Sequence, residues 1–245
     1  MIAGDTSRSR VYLQALRRHH LLPAHVIVLE DSSEDIFPGQ FEHDRVSTNK
    51  IIDDLDHEWS EAQFDANLKI KDLLDELNVS YDVSNSKDIN NLSVVGMVQN
   101  RPESVFIYSG FGGGILRDDI LGTGKSFLHV HGGYLPDFKG STTNYYSLIS
   151  DDSLGASSLF LNAEIDSGSV LVRRKFSPPP NRKEIDHVYD SAARAKVLIE
   201  TIQNYAESNE WKFELSEKDN NEGETYFIIH PVLKHIAILA KDNSI

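Results

Sequence analysis

The chain of 245 residues contains no cysteine. Disulfides, thiol nucleophiles and cysteine-bound metals are therefore excluded, while the cytosol is permitted. Basic residues are also scarce: 24 Lys and Arg stand against 38 Asp and Glu, a formal net charge of −14. Phosphate backbones call for clustered cations rather than an acidic field, so nucleic acid is not expected as a partner, and an anionic small molecule needs a local basic pocket. Long apolar runs are missing as well. No stretch approaches the roughly 20 residues that span a bilayer, and the start MIAGDTSRSR has no signal-peptide core. A cytoplasmic protein with no membrane partner is the expectation. With 40% hydrophobic residues the chain can still bury a core.

What is present alternates. A very short strand, Met1 to Ala3, leads through a glycine turn to an amphipathic helix with Val11, Leu13, Leu16 and Leu21, then to a strand from His25 to Leu29. So short a first strand implies residues upstream of Met1. After an acidic, unperiodic stretch, a helix is expected from about Asp56 to Leu77, carrying Trp59, Phe64, Leu68, Leu73 and Leu77. A short strand follows at Tyr81 to Val83, and DINN caps a helix over Leu92 to Val98. VFIYSG reads as a buried strand, and a further apolar run ends at His131. This order predicts an α/β fold, a mostly parallel twisted sheet with helices on both faces, Rossmann-like, whose ligands gather at the carboxyl ends of strands. Residues 1–180 form the expected catalytic domain, closed by Pro178 to Pro180, with 31–78 as an elaborated crossover. Residues 181–245 form an expected extension of a helix and a β-hairpin, pairing Trp211–Leu215 with Thr225–Ile229 across SEKDNNEGE. HPVLKH, His230 to His235, is placed at the hairpin edge.

The conspicuous motif is HVHGGYLPDFKG, His129 to Gly140. Period-2 alternation puts His129 and His131 on one face of a strand, and glycines and a proline then break the chain. Asp166 follows in AEIDSG, again where an apolar run gives way to a turn. Two imidazoles and a carboxylate suit proton transfer. They equally suit two hydrogen-bonded core histidines or half of a metal site. Zinc wants three or four ligands, and His19, His20, His43 and His57 stand in no ligand pattern, so no metal is expected. In GDTSRSR, Ser7, Arg8 and Ser9 open a helix and can cradle an anion there, or Thr6 or Ser7 simply caps it and Arg8 is a solvated surface residue. Thr142 and Tyr146 lie at the start of the helix after Gly140, where they can touch substrate, cap the helix or pack on the sheet. FGGGIL, Phe111 to Leu116, lacks the lysine of a phosphate-gripping loop.

Taken in order, these motifs resemble the folate-dependent formyltransferases, whose hallmark is Asn-x-His, then Pro-Ser-Leu-Leu-Pro and Arg-Gly. Here His129, Val130 and His131 are followed by Gly132, Gly133, Tyr134, Leu135 and Pro136, then Lys139 and Gly140. Ile165 to Gly168 is similar to the family's Leu-Asp-Thr-Gly, and SKDINN, YSGFGGGIL and PPPNRKEID are similar in kind and position. The similarity covers about residues 1–190. It implies transfer of a formyl group from 10-formyltetrahydrofolate to an amine, with no metal. His131 is then the catalytic histidine, Asp166 its carboxylate partner, and His129 stands in place of the family's asparagine. The turn with Gly113, Ile115 and Leu116 implies one wall of a pterin pocket and the segment with Asn162, Glu164 and Ile165 the other, with Leu135 a further cofactor-binding residue. Gly132 and Gly133 replace Pro-Ser, which either admits a bulkier substrate or answers a need of the loop. A short acidic tail disfavours a tRNA substrate, leaving a small-molecule amine, an amino-sugar nucleotide foremost, with a homodimer as an allowed assembly. A formyltetrahydrofolate hydrolase and a catalytically inactive folate- or nucleotide-binding relative are the alternatives.

Overall fold

The computed structural model describes residues 1–31 and 57–239. Residues 32–56 of the expected crossover, with His43, lie outside the described residues. The strands are β1 (Ile2–Gly4), β2 (Val26–Leu29), β3 (Tyr81–Val83), β4 (Val105–Ser109), β5 (Ser126–His131), β6 (Lys139–Gly140), β7 (Leu154–Phe160), β8 (Val170–Phe176) and β9 (Thr225–Tyr226). The helices are α1 (Ser7–Arg18), α2 (Ile70–Glu76), α3 (Leu92–Gln99), α4 (Asp118–Leu121), α5 (Thr143–Asp151), α6 (Asp190–Ser208), α7 (Glu217–Asn220) and α8 (Pro231–Leu239). Seven strands make one sheet in the order β3-β2-β1-β4-β5-β7-β8; β1 to β5 pair in parallel, and β7 and β8 are antiparallel. The mostly parallel α/β architecture expected from the alternation is what the chain builds. Consecutive residues of β1, β2 and β7 are buried, as strands require when both sheet faces are covered.

The chain divides into two compact units. The first holds the described residues of Met1–Asp53 and Gln63–Leu128; the second holds those of Asp54–Ala62 and His129–Ile245. In the first, α1 starts at Thr6, whose hydroxyl accepts the Ser9 N–H at 3.2 Å, and buries Val11, Tyr12, Leu13, Ala15 and Leu16. Arg17 and Arg18 occupy its last turn, where the helix dipole favours cations. In the second, α6 buries Ala192, Ala193 and Ala195, small enough for close helix–sheet approach, and Thr201 hydrogen-bonds Ser158 of β7 at 2.7 Å. Trp59, 2% exposed, packs on Phe176 and Tyr189 with ring centroids 5.5 and 5.1 Å away. Burial of such an indole is worth roughly 3–5 kcal/mol against truncation to alanine.

Three expectations need correction. The helix from about Asp56 to Leu77 is, over its described part, a 3-10 turn at His57–Ala62 and the separate α2. Between them the Gln14 side chain takes both the N–H and the carbonyl of Asp65, each at 2.9 Å, and Asp65 accepts the Asn67 N–H at 2.8 Å. Those side-chain bonds replace a helical ladder. The C-terminal hairpin does not form. Leu215 bridges Val170 antiparallel, β9 pairs in parallel with β6, and the acidic stretch between them is α7, capped by the Ser216 hydroxyl on the Asp219 N–H at 3.2 Å. His230 to His235 is no hairpin edge: α8 begins at Pro231, a residue suited to a first helical position.

Candidate active site

In the second unit β5 ends at His131, which is 4% exposed; His129, two residues earlier, is half-buried. The loop that follows returns so that the Phe138 carbonyl lies 2.8 Å from His131 Nε2. A carbonyl only accepts, so Nε2 carries a proton. His131 Nδ1 lies 3.3 Å from Asp166 Oδ2, an oxygen that also accepts the Gly140 N–H at 3.0 Å. The two groups stand at ion-pair distance. Asp166 is itself held with φ 50°, in the left-handed region that few non-glycine residues adopt. The sequence-predicted pair thus meets, with both imidazole nitrogens facing protein acceptors. Among the described residues no group of three or more His, Asp or Glu is disposed to hold a metal ion, and no helix is long and apolar enough to cross a membrane.

The glycines after His131 belong to this packing. A Cβ at Gly132 would overlap the Arg194 guanidinium and the Asp190 carboxylate; one at Gly133 would overlap the Phe138 carbonyl and His131 Nε2. Their small size therefore answers a need of the loop. Arg194 donates to the Val130 carbonyl at 2.9 Å and pairs with Asp190 at 2.8 Å, while Asn144 bonds Asp190 at 2.6 Å and Gly155 N at 3.0 Å. Thr143 donates its hydroxyl to the Gly132 carbonyl. A buried polar network from α5 and α6 thus fixes the strand end. Beside it, Tyr145 gives its hydroxyl to Asp186 at 2.8 Å; burial, and then the Asp186 charge, push the phenol well above its ordinary pKa.

The expected folate contacts divide by environment. Leu135 is fully buried against Leu159, Val170 and Leu215, its N–H is taken by Ser157 at 3.0 Å and its carbonyl by Arg173 at 2.7 Å. It is a core residue, joined to Pro136 by a cis peptide bond. Ile165 is 51% exposed next to Asp166, and Glu164 is exposed. Asn162 shapes the loop: its carbonyl oxygen accepts Glu164 N–H and the Ser167 hydroxyl, both at 3.0 Å, and its amide donates to Glu217 at 2.7 Å. Thr142, at φ 53°, accepts the Ile229 N–H at 2.9 Å, and Tyr146 donates to the Phe227 carbonyl at 3.1 Å. Both hold the tail.

In the first unit, Ser9 is fully buried and shares its hydroxyl with Ser109, Oγ to Oγ 2.7 Å. Arg8 reaches the end of β4, donating from Nε to Ser109 at 3.3 Å and from its terminal nitrogen to the Gly110 carbonyl. Ser7 is half-buried at the first position of α1. Phe111 lies against Gly4, where a Cβ would strike its ring. In the glycine turn Gly113 has φ 81°, Ile115 is 51% exposed, and Leu116 is buried.

Residues outside the motifs also belong to the site. Asn220 is fully buried and donates to the Asp166 carbonyl at 2.8 Å and the Gly168 carbonyl at 2.9 Å. It sits in SEKDNNEGE, whose charge reads as a solvated turn; the Ser-x-x-Asp start was the available sign of a helix there. Arg194 and Asp190 look like ordinary members of a polar helix face.

The solved structure of a sugar N-formyltransferase from Shewanella sp. FDAARGOS_354 aligns with a TM-score of 0.54, over 97% of this chain and 85% of that one, at 14% identity. The fold is the formyltransferase fold. A glycinamide ribonucleotide transformylase from Symbiobacterium toebii shares that fold with a TM-score of 0.53, over 84% of this chain and 85% of its own, at 15% identity. A HypX variant from Aquifex aeolicus shares it with a TM-score of 0.50 at 17% identity; 65% of this chain is covered, and it spans only 27% of that protein's length. No protein-family model and no curated protein sequence matches the chain. At these identities the formyltransferase likeness is one of fold, and chemistry has to be argued from the site.

Proposed function

We propose that the chain is a 10-formyltetrahydrofolate-dependent N-formyltransferase acting on a small-molecule amine, an amino-sugar nucleotide in the first instance. The observation that carries this reading is the buried contact of His131 with Asp166 at the end of β5 in a formyltransferase fold. Bound beside that pair, the folate supplies an activated formyl carbon. Exposed Ile165 next to Asp166 suits a flat pterin; Leu135, committed to the core, leaves the expected contact set. Arg8 and Ser7 are the candidates for a substrate anion, whereas Ser9 is fully engaged with Ser109.

When the amine adds to a formyl carbon, oxygen gains negative charge and nitrogen must lose a proton. His131 accepts that proton. To do so, Nε2 exchanges the Phe138 carbonyl for the substrate nitrogen, and the ring takes the tautomer with Nδ1–H toward Asp166. The carboxylate then stabilises the imidazolium formed, which later passes its proton to the leaving nitrogen. His129, on the same strand face, donates an N–H to the formyl oxygen in the role the family gives to an asparagine amide. Apo hydrogen bonds of catalytic groups commonly rearrange in this way on substrate binding.

The test is incubation with 10-formyltetrahydrofolate and a panel of amino-sugar nucleotides, read by mass spectrometry for a gain of one formyl group. Formylation lost in His131→Gln supports the reading. Formate release without any amine identifies a hydrolase, and no turnover with retained folate binding identifies an inactive relative.

A further inference from the structure

The stretch after α6 is the most acidic part of the tail, yet it reaches the centre of the second unit. Residues 216–229 cross both loops that hold His131 and Asp166. On one loop β9 pairs with β6: Lys139 N–H donates to Glu224 at 3.2 Å and Ser141 N–H to Tyr226 at 2.9 Å. The Tyr226 ring packs on Phe138 and Tyr146, with centroids 5.5 and 4.6 Å away, and Gly223 lies against the Pro136 carbonyl, leaving no room for a Cβ. On the other loop the Asn220 amide takes the carbonyls of Asp166 and Gly168. These loops supply Phe138 to Nε2, Asp166 to Nδ1, and Gly140 to the carboxylate.

Asn220 is unusual in its cost. It is fully buried, both bonds come from its nitrogen, and its Oδ1 has no hydrogen-bond partner among the described residues. A buried polar atom left unsatisfied is destabilising, so the side chain is not there to stabilise the tail at least expense. Its nitrogen bonds the carbonyl of Asp166, which stands at φ 50° in the left-handed region.

We infer that residues 216–229 form a positioning arm for the His131–Asp166 pair, with Asn220 as its positioning residue: the carboxamide fixes the Asp166 backbone while β9 fixes the Phe138–Gly140 segment. The inference rests on the reading of that pair as catalytic. Asn220 touches no reacting atom; it acts through Asp166. A carboxylate at 220 cannot donate to two carbonyls, alanine leaves both unpaired, and serine keeps a single donor.

The experiment compares Asn220→Asp, Asn220→Ala and Asn220→Ser with wild type by thermal melting, by NMR of ring-labelled histidine with the His131 signal assigned through His131→Gln, and by formyl transfer. The expected result in every variant that melts cooperatively is a displaced His131 signal. With it goes a fall in kcat on the order of 100-fold for Asn220→Asp and Asn220→Ala, as misplacement of a catalytic group produces, with KM nearly unchanged and Asn220→Ser between them. An unmoved His131 signal and wild-type kcat in a folded variant overturn the arm's role. If His131→Gln itself retains transfer, the catalytic reading fails instead, and a displaced His131 signal then still reports the arm's hold on the pair.

Discussion

Two strand ends carry polar side chains that the motifs single out, and they are organised differently. After β1, the side chains of Thr6 and Ser9 are absorbed by their own helix start and by the end of the adjacent β4, along which Arg8 also lies. After β5, His131 depends on Phe138 and Asp166, its glycines on Arg194 and Asp190, and Asp166 on Asn220. The first turn follows from caps and neighbouring strands. The second is assembled from segments distant in sequence, which is what a site must do to hold groups in an arrangement that no local preference favours.

The largest expected break in this comparison is catalytic. His131→Gln and Asp166→Asn should each reduce formyl transfer by roughly 100- to 10,000-fold, the range of acid–base groups, while both proteins remain folded by circular dichroism. Ser9→Ala at the other strand end should leave kcat within about twofold and cost about 1–3 kcal/mol in denaturant unfolding, since its buried hydroxyl bonds both the carbonyl and the hydroxyl of Ser109. Next comes packing. Gly132→Ala should cost about 1–3 kcal/mol in the same measurement, since the Arg194–Asp190 pair cannot move without losing its partners. Arg194→Ala combined with Gly132→Ala should show coupling above roughly 0.5 kcal/mol in a double-mutant cycle, because the two residues share one space. Thr6→Ala, by contrast, removes only a helix cap, worth about 1 kcal/mol.

The same division explains what could be read before the structure. The sheet, α1 and α3 follow from apolar runs and caps, all local signals, whereas the pairing of His131 with Asp166 is what the formyltransferase resemblance implies. What the sequence concealed depends on partners far along the chain. Leu215 and Thr225–Tyr226 have the alternation of a hairpin but pair with Val170 and Lys139–Gly140, because those edges offered backbone partners. Gly132 and Gly133 look like freedom for a substrate until the Arg194 guanidinium is seen against them. Asn220 cannot be distinguished by composition from its solvated neighbours Asp219 and Asn221.

The smallest expected effect sharpens the local side of the comparison. Just before β4, Arg101 grips Glu103 with two nitrogens, Nε at 3.0 Å and a terminal nitrogen at 2.8 Å. Those hydrogen bonds hold the Glu103 carboxyl down at about 2 from its ordinary 4.5. A carboxyl whose pKa is lower in the folded state binds a proton more readily when unfolded. Its contribution to stability is therefore full above pH 4.5 and disappears as the pH falls toward 2. The pair is partly exposed, with side chains 27% and 30% accessible, so the effect is about 0.5 kcal/mol. Urea unfolding of wild type and Glu103→Gln should differ by that amount at about pH 6 and converge near pH 2, and added salt should shrink the difference at the higher pH. A difference that persists unchanged near pH 2 would mean that the pair acts through packing of the Arg101 stem rather than through charge.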